Sequence, residues 1–347
     1  MVRVGIINVT GYMGAEAARI LHGHPGVELT SVTGRSEAGK PLGEVFPHLA
    51  PLNLQIDEEL GDVDAIISAL PHGASAERLQ PYIEDGTPVV DLSSDFRLKD
   101  AKQYERFRGP HPAPQFLDQA VFGMPELHRD ELSKTKLVAN AGCHAAAAIL
   151  GLAPAVQAGI IDSEIVVDSK TGLSGAGRSL TLGSHFSEAN ESVSAYGFDG
   201  HYQQPEMTQE LGALWEACLP DRQAPPPKIA FVPHLVPITR GILATAYAAP
   251  RDGAGGTSTD KLRKLYEEFY ADAPFVHVAD APPSTKQTVG SNHCLIYPTF
   301  DEDSGRYIIV SCLDNLGKGG AAGGVQCLNL MLGLPETAGL DGLALYP

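Results

Sequence analysis

The chain has 347 residues, of which 43% are apolar and 19% charged, and its formal net charge is −17. This composition is typical of a two-domain soluble globular protein, and the negative charge argues against nucleic acid or an anionic membrane as a partner. No apolar run approaches the roughly 20 residues of a membrane span. Five cysteines without metal-type spacing indicate reduced thiols, with neither disulfides nor a metal site. Because the chain opens on a predicted strand and not on a signal peptide, we expect a cytoplasmic protein.

The first segment has the pattern strand, glycine-containing loop, helix. Val2 to Asn8 is an apolar, β-branched run, residues 9–14 form a loop, and residues 15–22 have helical composition. A Rossmann unit holds a pyrophosphate in this way, although Asn8 stands where the first glycine is usual. Since Asn tolerates left-handed backbone angles, we expect the turn to form despite that change. A plain turn between strand and helix is the alternative.

The second predicted strand, Val27 to Thr33, runs into Gly34-Arg35-Ser36. In a dinucleotide-binding fold, an acidic residue near this point would bind the ribose hydroxyls. Thr33, Arg35 and Ser36 suit a 2′-phosphate instead, which predicts NADP as the cofactor. A solvated loop arginine is the alternative.

Further strands and helices alternate up to about residue 142. Strands are predicted at 64–70 and 88–92, with a helix at 74–84 between them. This alternation indicates an α/β domain with a doubly wound parallel sheet, whose ligands bind beyond the carboxyl ends of the strands. Pro71-His72-Gly73, Arg97 and Cys143 are expected near those ends.

Cys143 follows a short predicted strand, 137–139, and a turn, 140–142, and it precedes a run of alanines that favours a helix. A cysteine in a first helical turn meets free backbone N–H groups and the positive end of the helix dipole, which favour the thiolate. The same N–H groups are expected to stabilise an oxyanion on an acyl carbon attached to the sulfur. The alternative is a small buried cysteine with a packing role.

Beyond about Gly159 the pattern changes to strands separated mostly by loops, which predicts an α+β domain with a mixed or antiparallel sheet. One helix is predicted at 260–270, and a second, at 317–332, is expected to return the chain to the first domain. Exposed loops are predicted at 220–227 and 251–259. The predicted strands are 165–169, 228–233, 241–249, 275–278, 292–300 and 306–313.

Three motifs in this half contain residues suited to catalysis or to anion binding. The glycine- and serine-rich segment from Lys170 to Arg178 is suited to offer N–H groups to an anion. Gly200-His201 places a histidine beside a possible helix start, where a nucleophilic thiol would find a base with a pKa near neutrality. His234 and Arg240 lie at strand ends, where they would face a cleft.

Several of these segments, in this order, resemble the N-acetyl-γ-glutamyl-phosphate reductases, NADP-dependent enzymes of arginine biosynthesis in the aspartate-semialdehyde-dehydrogenase-like superfamily. The resemblance implies a Rossmann domain of residues 1–142 and 315–347, an α+β catalytic and oligomerisation domain of residues 143–314, and a homodimer or homotetramer. The segments that carry it are Asp91–Leu98, Ala141-Gly142-Cys143, Ser174–Arg178, Pro233–Pro237 with Arg240-Gly241-Ile242, and Asp314–Gly319.

The resemblance also implies roles for residues. Cys143 matches the family's nucleophile and His201 its acid/base residue. The reaction implied is reduction of a small acyl phosphate by NADPH through a cysteine thioester, with no metal. Arg97 and Arg240 are predicted to hold the substrate's phosphate or carboxylate, because a guanidinium binds either one bidentately. The positions that match nucleotide-binding residues are Thr10, Gly11, Tyr12, Gly14, Ser174, Gly175 and Asn315.

The chain departs from the family pattern at four places. Asn8 replaces a glycine, Ala141 replaces a proline, His144 replaces an aromatic residue, and Tyr202-Gln203 replaces Arg-His after His201. Successive residues of a helix point about 100° apart, so the ring of His144 is expected to face away from the side of Cys143. Two alternatives stay open: an aminoadipyl-phosphate reductase of lysine biosynthesis, and a catalytically silent NADP-binding regulator.

Overall fold

The structure is a computed structural model that describes residues 1–218, 226–251 and 257–346. The chain divides into two compact units, Met1–Gly142 with Leu316–Gly342, and Cys143–Asn315 with the residues from Leu343 onward. The second unit therefore includes Asn315 and the last residues of the chain, which were expected in the first. Most of the predicted loop 220–227 and the middle of the predicted loop 251–259 lie outside the described residues. No helix in the described part is long and apolar enough to cross a membrane.

The first unit contains a seven-stranded sheet in which every pair of neighbouring strands is parallel. The strand order is β3-β2-β1-β4-β5-β7-β6, so the winding direction reverses between β1 and β4, as in the predicted doubly wound sheet. Central strands such as β4 are buried along their whole length, because helices cover both faces of such sheets. The strands are β1 Val2–Ile7, β2 Val27–Thr33, β3 Ile56–Asp57, β4 Ala65–Ser68, β5 Val89–Asp91, β6 Val121–Gly123 and β7 Leu137–Asn140.

Six α-helices belong to this unit, and α2, α4, α5 and the strands β3 and β6 were not predicted from the sequence. Strands of two or three residues are too short to show a period-2 pattern. The helices are α1 Tyr12–His22, α2 Leu42–Val45, α3 Ser75–Glu84, α4 Ala101–Arg108, α5 Pro125–Leu132 and α10 Ala322–Met331.

Helix α10 packs on α1, α5, β5 and β7 although it is remote from them in sequence. A buried ion pair precedes it, in which Lys318 Nζ donates to Glu126 Oε1 at 2.6 Å and to Gln326 Oε1 at 2.6 Å. A predicted helix over 317–332 is corrected here: a π-helical turn spans Gly317–Ala321, and the α-helix begins at Ala322.

The second unit is built on a mixed seven-stranded sheet of order β12-β13-β14-β11-β8-β10-β9. The pairs β8–β10 and β12–β13 are parallel, and the other pairs are antiparallel. The prediction of a mixed or antiparallel sheet is confirmed. The strands are β8 Ile161–Thr171, β9 Ser194–Ala195, β10 Lys228–Leu235, β11 Ile242–Pro250, β12 Val276–Val278, β13 Cys294–Asp301 and β14 Arg306–Leu313.

The helices described in this unit are α6 Cys143–Gln157, α7 Phe186–Ala189, α8 Gln204–Cys218 and α9 Thr259–Phe269. The sequence predicted α9 but not the fifteen-residue α8. Its buried apolar residues Met207, Leu211 and Trp215 form a narrow stripe, and Glu206 and Glu210 are buried beside them. Carboxylates within the buried face weaken the apolar pattern from which a helix is recognised.

Helix α6 is buried along almost its whole length and contains Pro154. Proline has no N–H, so the carbonyl of Leu150 loses its partner within the helix. Tyr270 Oη, just beyond α9, donates to that carbonyl at 2.5 Å, and Tyr266 Oη donates to the carbonyl of Gly151 at 2.7 Å. These bonds fix the helix that carries Cys143.

Candidate active site

A cavity of about 260 Å³ in the second unit surrounds Cys143, the first residue of α6. The prediction that this cysteine lies in a first helical turn is confirmed, and its side chain is half-buried. All five cysteines are free thiols; three are buried and Cys218 is half-buried. The polar and sulfur-bearing residues at the cavity wall are Cys143, His144, Thr171, Tyr196, His201, Tyr202 and Gln203.

The side chain of Gln203, at the start of α8, caps the first turn of α6. Its Oε1 accepts hydrogen bonds from the backbone N–H groups of His144, at 2.9 Å, and Ala145, at 3.1 Å. The predicted use of first-turn N–H groups as an oxyanion site is therefore corrected for these two residues, because both already have an acceptor. The amide nitrogen of the same side chain lies 4.0 Å from Cys143 Sγ and 3.2 Å from Tyr202 Oη.

His144 is buried inside the same cavity wall. Its Nδ1 lies 2.7 Å from Ser169 Oγ, and its Nε2 lies 3.0 Å from Tyr196 Oη. The expectation that its ring would face away from the side of Cys143 is wrong, because both residues line the same cavity and the centroid of the His144 ring lies 5.7 Å from that of His201. Burial, with a smaller contribution from His201, lowers the pKa of His144 to about 3, so the ring is neutral.

His201 is also buried, and its ring stacks on Tyr202 with centroids 4.7 Å apart. Its Nδ1 accepts a hydrogen bond from the backbone N–H of Gln203 at 3.2 Å. A neutral imidazole that accepts at Nδ1 carries its hydrogen on Nε2. In this geometry, His201 is a hydrogen-bond donor through Nε2. Its catalytic assignment stays a prediction.

The predicted residues Ser174, Gly175 and Asn315 lie together in the second unit. Asn315 Nδ2 donates to Ser174 Oγ at 2.9 Å, and Asn315 Oδ1 accepts from the N–H of Gly241 at 2.8 Å. A Cβ on Gly175 would lie 3.1 Å from Thr171 Oγ1, so this loop approaches β8 closely. Gly175 also lines the cavity that holds Cys143.

The two arginines predicted to bind substrate are both engaged by the protein. Arg97 is buried in the first unit, where Nε donates to the carbonyl of Asn140 at 2.6 Å and Nη2 to that of Leu92 at 2.8 Å. Arg240, in the second unit, forms a two-point ion pair with the buried Asp314, at 3.1 and 2.5 Å. Their role toward substrate stays a prediction, while a structural role is visible for each.

The loop between β1 and α1 in the first unit has the features of a phosphate-binding turn. Asn8 adopts the left-handed conformation, with φ of 67°, as expected for a residue in place of glycine. A Cβ on Gly14 would lie 2.4 Å from the carbonyl oxygen of Asn8, so only glycine allows this close approach. Helix α1 follows Gly11 without a side-chain cap and without an acidic residue in its first turn. Its N-terminus therefore fits an anionic pyrophosphate.

The residues after β2 are placed as the sequence indicated. Thr33 is buried, and its Oγ1 accepts from the backbone N–H of Asn8 at 3.3 Å, which ties the end of β2 to the loop after β1. Arg35 and Ser36 follow in an exposed 3-10 turn. No ion pair engages Arg35 among the described residues. The nearby Glu37 pairs with Lys40.

Sequence reasoning missed Gln203, Tyr196 and Ser169 as parts of the site. Gln203 had been noted as a departure from the family pattern, and that departure was the available signal. Tyr196 and Ser169 belong to no motif and are recognised only because they contact His144. Among the described residues, no group of three or more His, Cys, Asp or Glu side chains is arranged to hold a metal ion.

Comparison with known proteins gives consistent matches to both units. Residues 3–135 match the family described as semialdehyde dehydrogenase, NAD binding domain, and residues 143–315 match semialdehyde dehydrogenase, dimerisation domain. An N-acetyl-gamma-glutamyl-phosphate reductase of Dehalococcoides mccartyi is 48% identical over 99% of both chains. The enzyme of the same name from Pelotomaculum thermopropionicum is 43% identical over 100% of this chain and 99% of its own. The crystal structure of Candida albicans aspartate semialdehyde dehydrogenase with NADP shares the fold, with a TM-score of 0.71, 15% identity, and coverage of 96% of this chain and 98% of that one.

Proposed function

The chain belongs to the N-acetyl-gamma-glutamyl-phosphate reductase family, and we propose that it reduces N-acetyl-γ-glutamyl phosphate to N-acetylglutamate 5-semialdehyde and phosphate in arginine biosynthesis. The observation that carries this proposal is Cys143, half-exposed in the first turn of α6, inside a cavity that also contains His201 and Gln203. A thiol at a helix start is poised for nucleophilic attack, whereas the buried Cys294, Cys312 and Cys327 are not.

The chemistry follows from the thiolate. Cys143 Sγ attacks the acyl carbon, a C–S bond forms, and the C–O bond to phosphate breaks, which leaves a thioester. A reduced nicotinamide cofactor, when bound, supplies the hydride that reduces the thioester carbon. The resulting oxyanion re-forms a carbonyl, the C–S bond breaks, and the aldehyde leaves with Cys143 again a thiolate.

His201 is our candidate to assist at the oxygen. Because its hydrogen is on Nε2 when Nδ1 accepts from Gln203 N–H, the ring is able to donate a hydrogen bond to the developing oxyanion. To take the proton of the thiol, it would first have to give up the Gln203 N–H bond. We therefore assign His201 a donor role first, in place of the general-base role expected from the sequence.

A nicotinamide cofactor is used, and we propose NADP over NAD. Thr33, Arg35 and Ser36 at the end of β2 support this, because no acidic side chain stands among them to bind a ribose 2′-hydroxyl. The residues proposed to contact the cofactor are Thr10, Gly11, Tyr12, Gly14, Thr33, Arg35 and Ser36 in the first unit, and Ser174, Gly175 and Asn315 in the second.

We propose a homodimer or homotetramer assembled through the second unit. On one face of its sheet, Val166, Tyr247 and Ile308 are cross-strand neighbours and are all at least partly exposed. Val166 is 44% exposed, which is high for an apolar residue at the centre of a sheet. The match to a dimerisation domain supports the assembly. Free cysteines support a cytoplasmic location.

The test is the reverse reaction of the purified full-length protein. Reduction of NADP should require both N-acetylglutamate semialdehyde and phosphate. The matched substrate control is the semialdehyde with one more methylene, the aminoadipate analogue. A higher kcat/KM for that longer substrate would favour the lysine-pathway alternative. Binding of NADP without its reduction in the presence of either semialdehyde would favour a regulator.

A further inference from the structure

The side-chain amide of Gln203 has a partner for each of its hydrogen-bonding positions. Oε1 accepts from two backbone N–H groups, those of His144 and Ala145. Nε2 has two hydrogens, and two acceptors lie on its side: Tyr202 Oη at 3.2 Å and Cys143 Sγ at 4.0 Å. The residue is only 3% exposed, so solvent hardly competes for these positions.

These contacts determine which way the amide points. The two backbone N–H groups of α6 require an acceptor opposite them, so a reversed amide would place donors against donors. The nitrogen is therefore held on the side of the sulfur by the backbone, without a free choice of flip. Donation by two N–H groups to Oε1 also polarises the amide and strengthens its own N–H as a donor.

We propose that Gln203 Nε2 is the hydrogen-bond donor that stabilises the Cys143 thiolate and so keeps the nucleophile ionised near neutral pH. The sulfur of a neutral thiol is a weak acceptor, and the 4.0 Å contact is long; a thiolate is a stronger acceptor and would shorten it. The inference rests on the proposed function for the use of the thiolate, although ionisation is measurable without turnover.

The surroundings of the sulfur make this donor important. The titratable groups that share the cavity wall are His144 and His201 together with Tyr196 and Tyr202. His144 is neutral, and no lysine or arginine lines the described cavity to offset a negative sulfur. Since Gln203 Oε1 already occupies two N–H groups of the first turn, Nε2 provides a donor in their place.

The experiment measures the pH dependence of Cys143 alkylation by iodoacetamide in the full-length protein without substrate or cofactor. A Cys218→Ser background removes the other half-exposed thiol. Gln203→Glu keeps oxygen acceptors for both N–H groups but removes the donor, and Gln203→Met removes acceptor and donor together. Gln204→Glu is the matched control, because it adds the same charge one residue away.

We expect the apparent pKa of alkylation to rise by about one pH unit in both Gln203 variants, which is about tenfold less thiolate near neutrality, since hydrogen bonds to charged groups have that magnitude. The control, Gln204→Glu, should keep an apparent pKa of alkylation close to that of the parent. If Gln203→Glu keeps the parent's pH profile of alkylation, Gln203 is only a helix cap and the proposal is overturned. A parent-like profile in Gln203→Met overturns it as well, since the effect in Gln203→Glu is then that of the added charge.

Thermal melting of each variant separates folding from ionisation. If Gln203→Met does not fold, Gln203→Leu takes its place, because it also removes the acceptor and the donor without adding charge: a raised pKa supports the proposal and a parent-like profile overturns it. Failure of the proposed function looks different. Parent protein that shows the expected alkylation series but reduces no acyl phosphate would contradict the function and leave the role of Gln203 supported.

Discussion

Two helices in this protein begin in the same local setting but differ in whether a side chain caps their first turn. Both α1 and α6 follow a parallel strand and a short turn that contains a glycine. The start of α1 has no side-chain cap, and Gly14 lets the helix approach the backbone of Asn8 closely. At the start of α6, Gln203 accepts from the N–H groups of His144 and Ala145.

A helix start is available to an anion only where its N–H groups have no internal acceptor, and the two helix starts differ in this respect. Sequence reasoning assigned both helix starts a role in stabilising negative charge. At α1 the role stays a prediction that the uncapped helix start allows, whereas at α6 the amide of Gln203 contacts both the backbone N–H groups and the sulfur. The two sites should therefore respond to substitution independently.

Cys143→Ser should have the largest effect at the start of α6 and almost none at the start of α1. This variant should lose detectable turnover, because an alcohol at this position is a far poorer nucleophile than a thiolate. Its affinity for NADPH should stay within about twofold, a small difference in free energy. Steady-state rates and fluorescence titration of NADPH provide the two measurements. Substantial turnover in the variant would refute covalent catalysis.

His201→Asn tests the proposed hydrogen-bond donor, His201 Nε2, in the cavity that contains Cys143. We expect kcat to fall by about 10²–10⁴-fold, the usual contribution of such a group. His201→Gln is the control, since its amide nitrogen reaches the position of Nε2 and should recover part of the rate. Equal rates for the parent and the Asn variant would remove His201 from the mechanism.

Gly14→Ala should disturb the loop before α1 and so weaken binding at the start of that helix. Its Cβ would lie 2.4 Å from the carbonyl oxygen of Asn8, a backbone atom, so the loop must shift. We expect NADPH affinity to fall by about ten- to a hundredfold, as overpacking of this kind commonly costs about 1–3 kcal/mol. Alkylation of Cys143 should be unchanged. Gly23→Ala, at a glycine with open space around it, is the control.

Arg35→Asp refines the cofactor preference of the first unit. An acidic side chain here would repel a 2′-phosphate and accept from a ribose hydroxyl. We expect NADPH affinity to fall by about tenfold more than NADH affinity, the effect of about 1.4 kcal/mol. Titration with each cofactor measures this, and equal losses for the two would contradict an NADP-specific role.

His144→Phe concerns the stability of the fold and not binding or turnover. Because burial lowers the pKa of His144 to about 3, the folded state keeps the ring neutral while the unfolded chain, with a pKa near 6.5, takes up a proton. The protonation of His144 therefore does not reduce the unfolding free energy well above about pH 6.5, and it reduces it increasingly as the pH falls below that value. Between pH 6.5 and 5 we expect the parent to lose about 2 kcal/mol more of its unfolding free energy than the variant. Urea denaturation at several pH values measures the slopes, and parallel slopes would show that the ring is not held neutral.

The sequence predicts the longer strands well because they carry strong periodic patterns. Strand β2 in the first unit and β14 in the second match their predicted ranges residue for residue. Asn8 was predictable from residue type, since few other side chains adopt a positive φ. The position of Cys143 was predictable as well. Its surroundings were not, because Gln203 is sixty residues away in the chain and only the tertiary fold brings it to α6.

Arg97 and Arg240 show a second limit. A guanidinium suits phosphate, carboxylate and backbone carbonyls equally, so residue type does not identify its partner. Arg97 contacts two carbonyls and Arg240 contacts Asp314. Helix α8 was missed for a related reason, because its buried Glu206 and Glu210 hide its apolar face from a pattern based on hydrophobicity.

The placement of α10 has a consequence for how this chain is made. Residues 1–142 leave the ribosome first, yet α10, which packs on α1, α5, β5 and β7, is translated only after the whole of residues 143–315. At about 5–20 residues per second, the interval is on the order of ten to forty seconds. During that time the growing first unit has an uncovered apolar surface on those elements. The first unit therefore waits for α10 until most of the chain has been synthesised, and nascent-chain chaperones would bind it for longer.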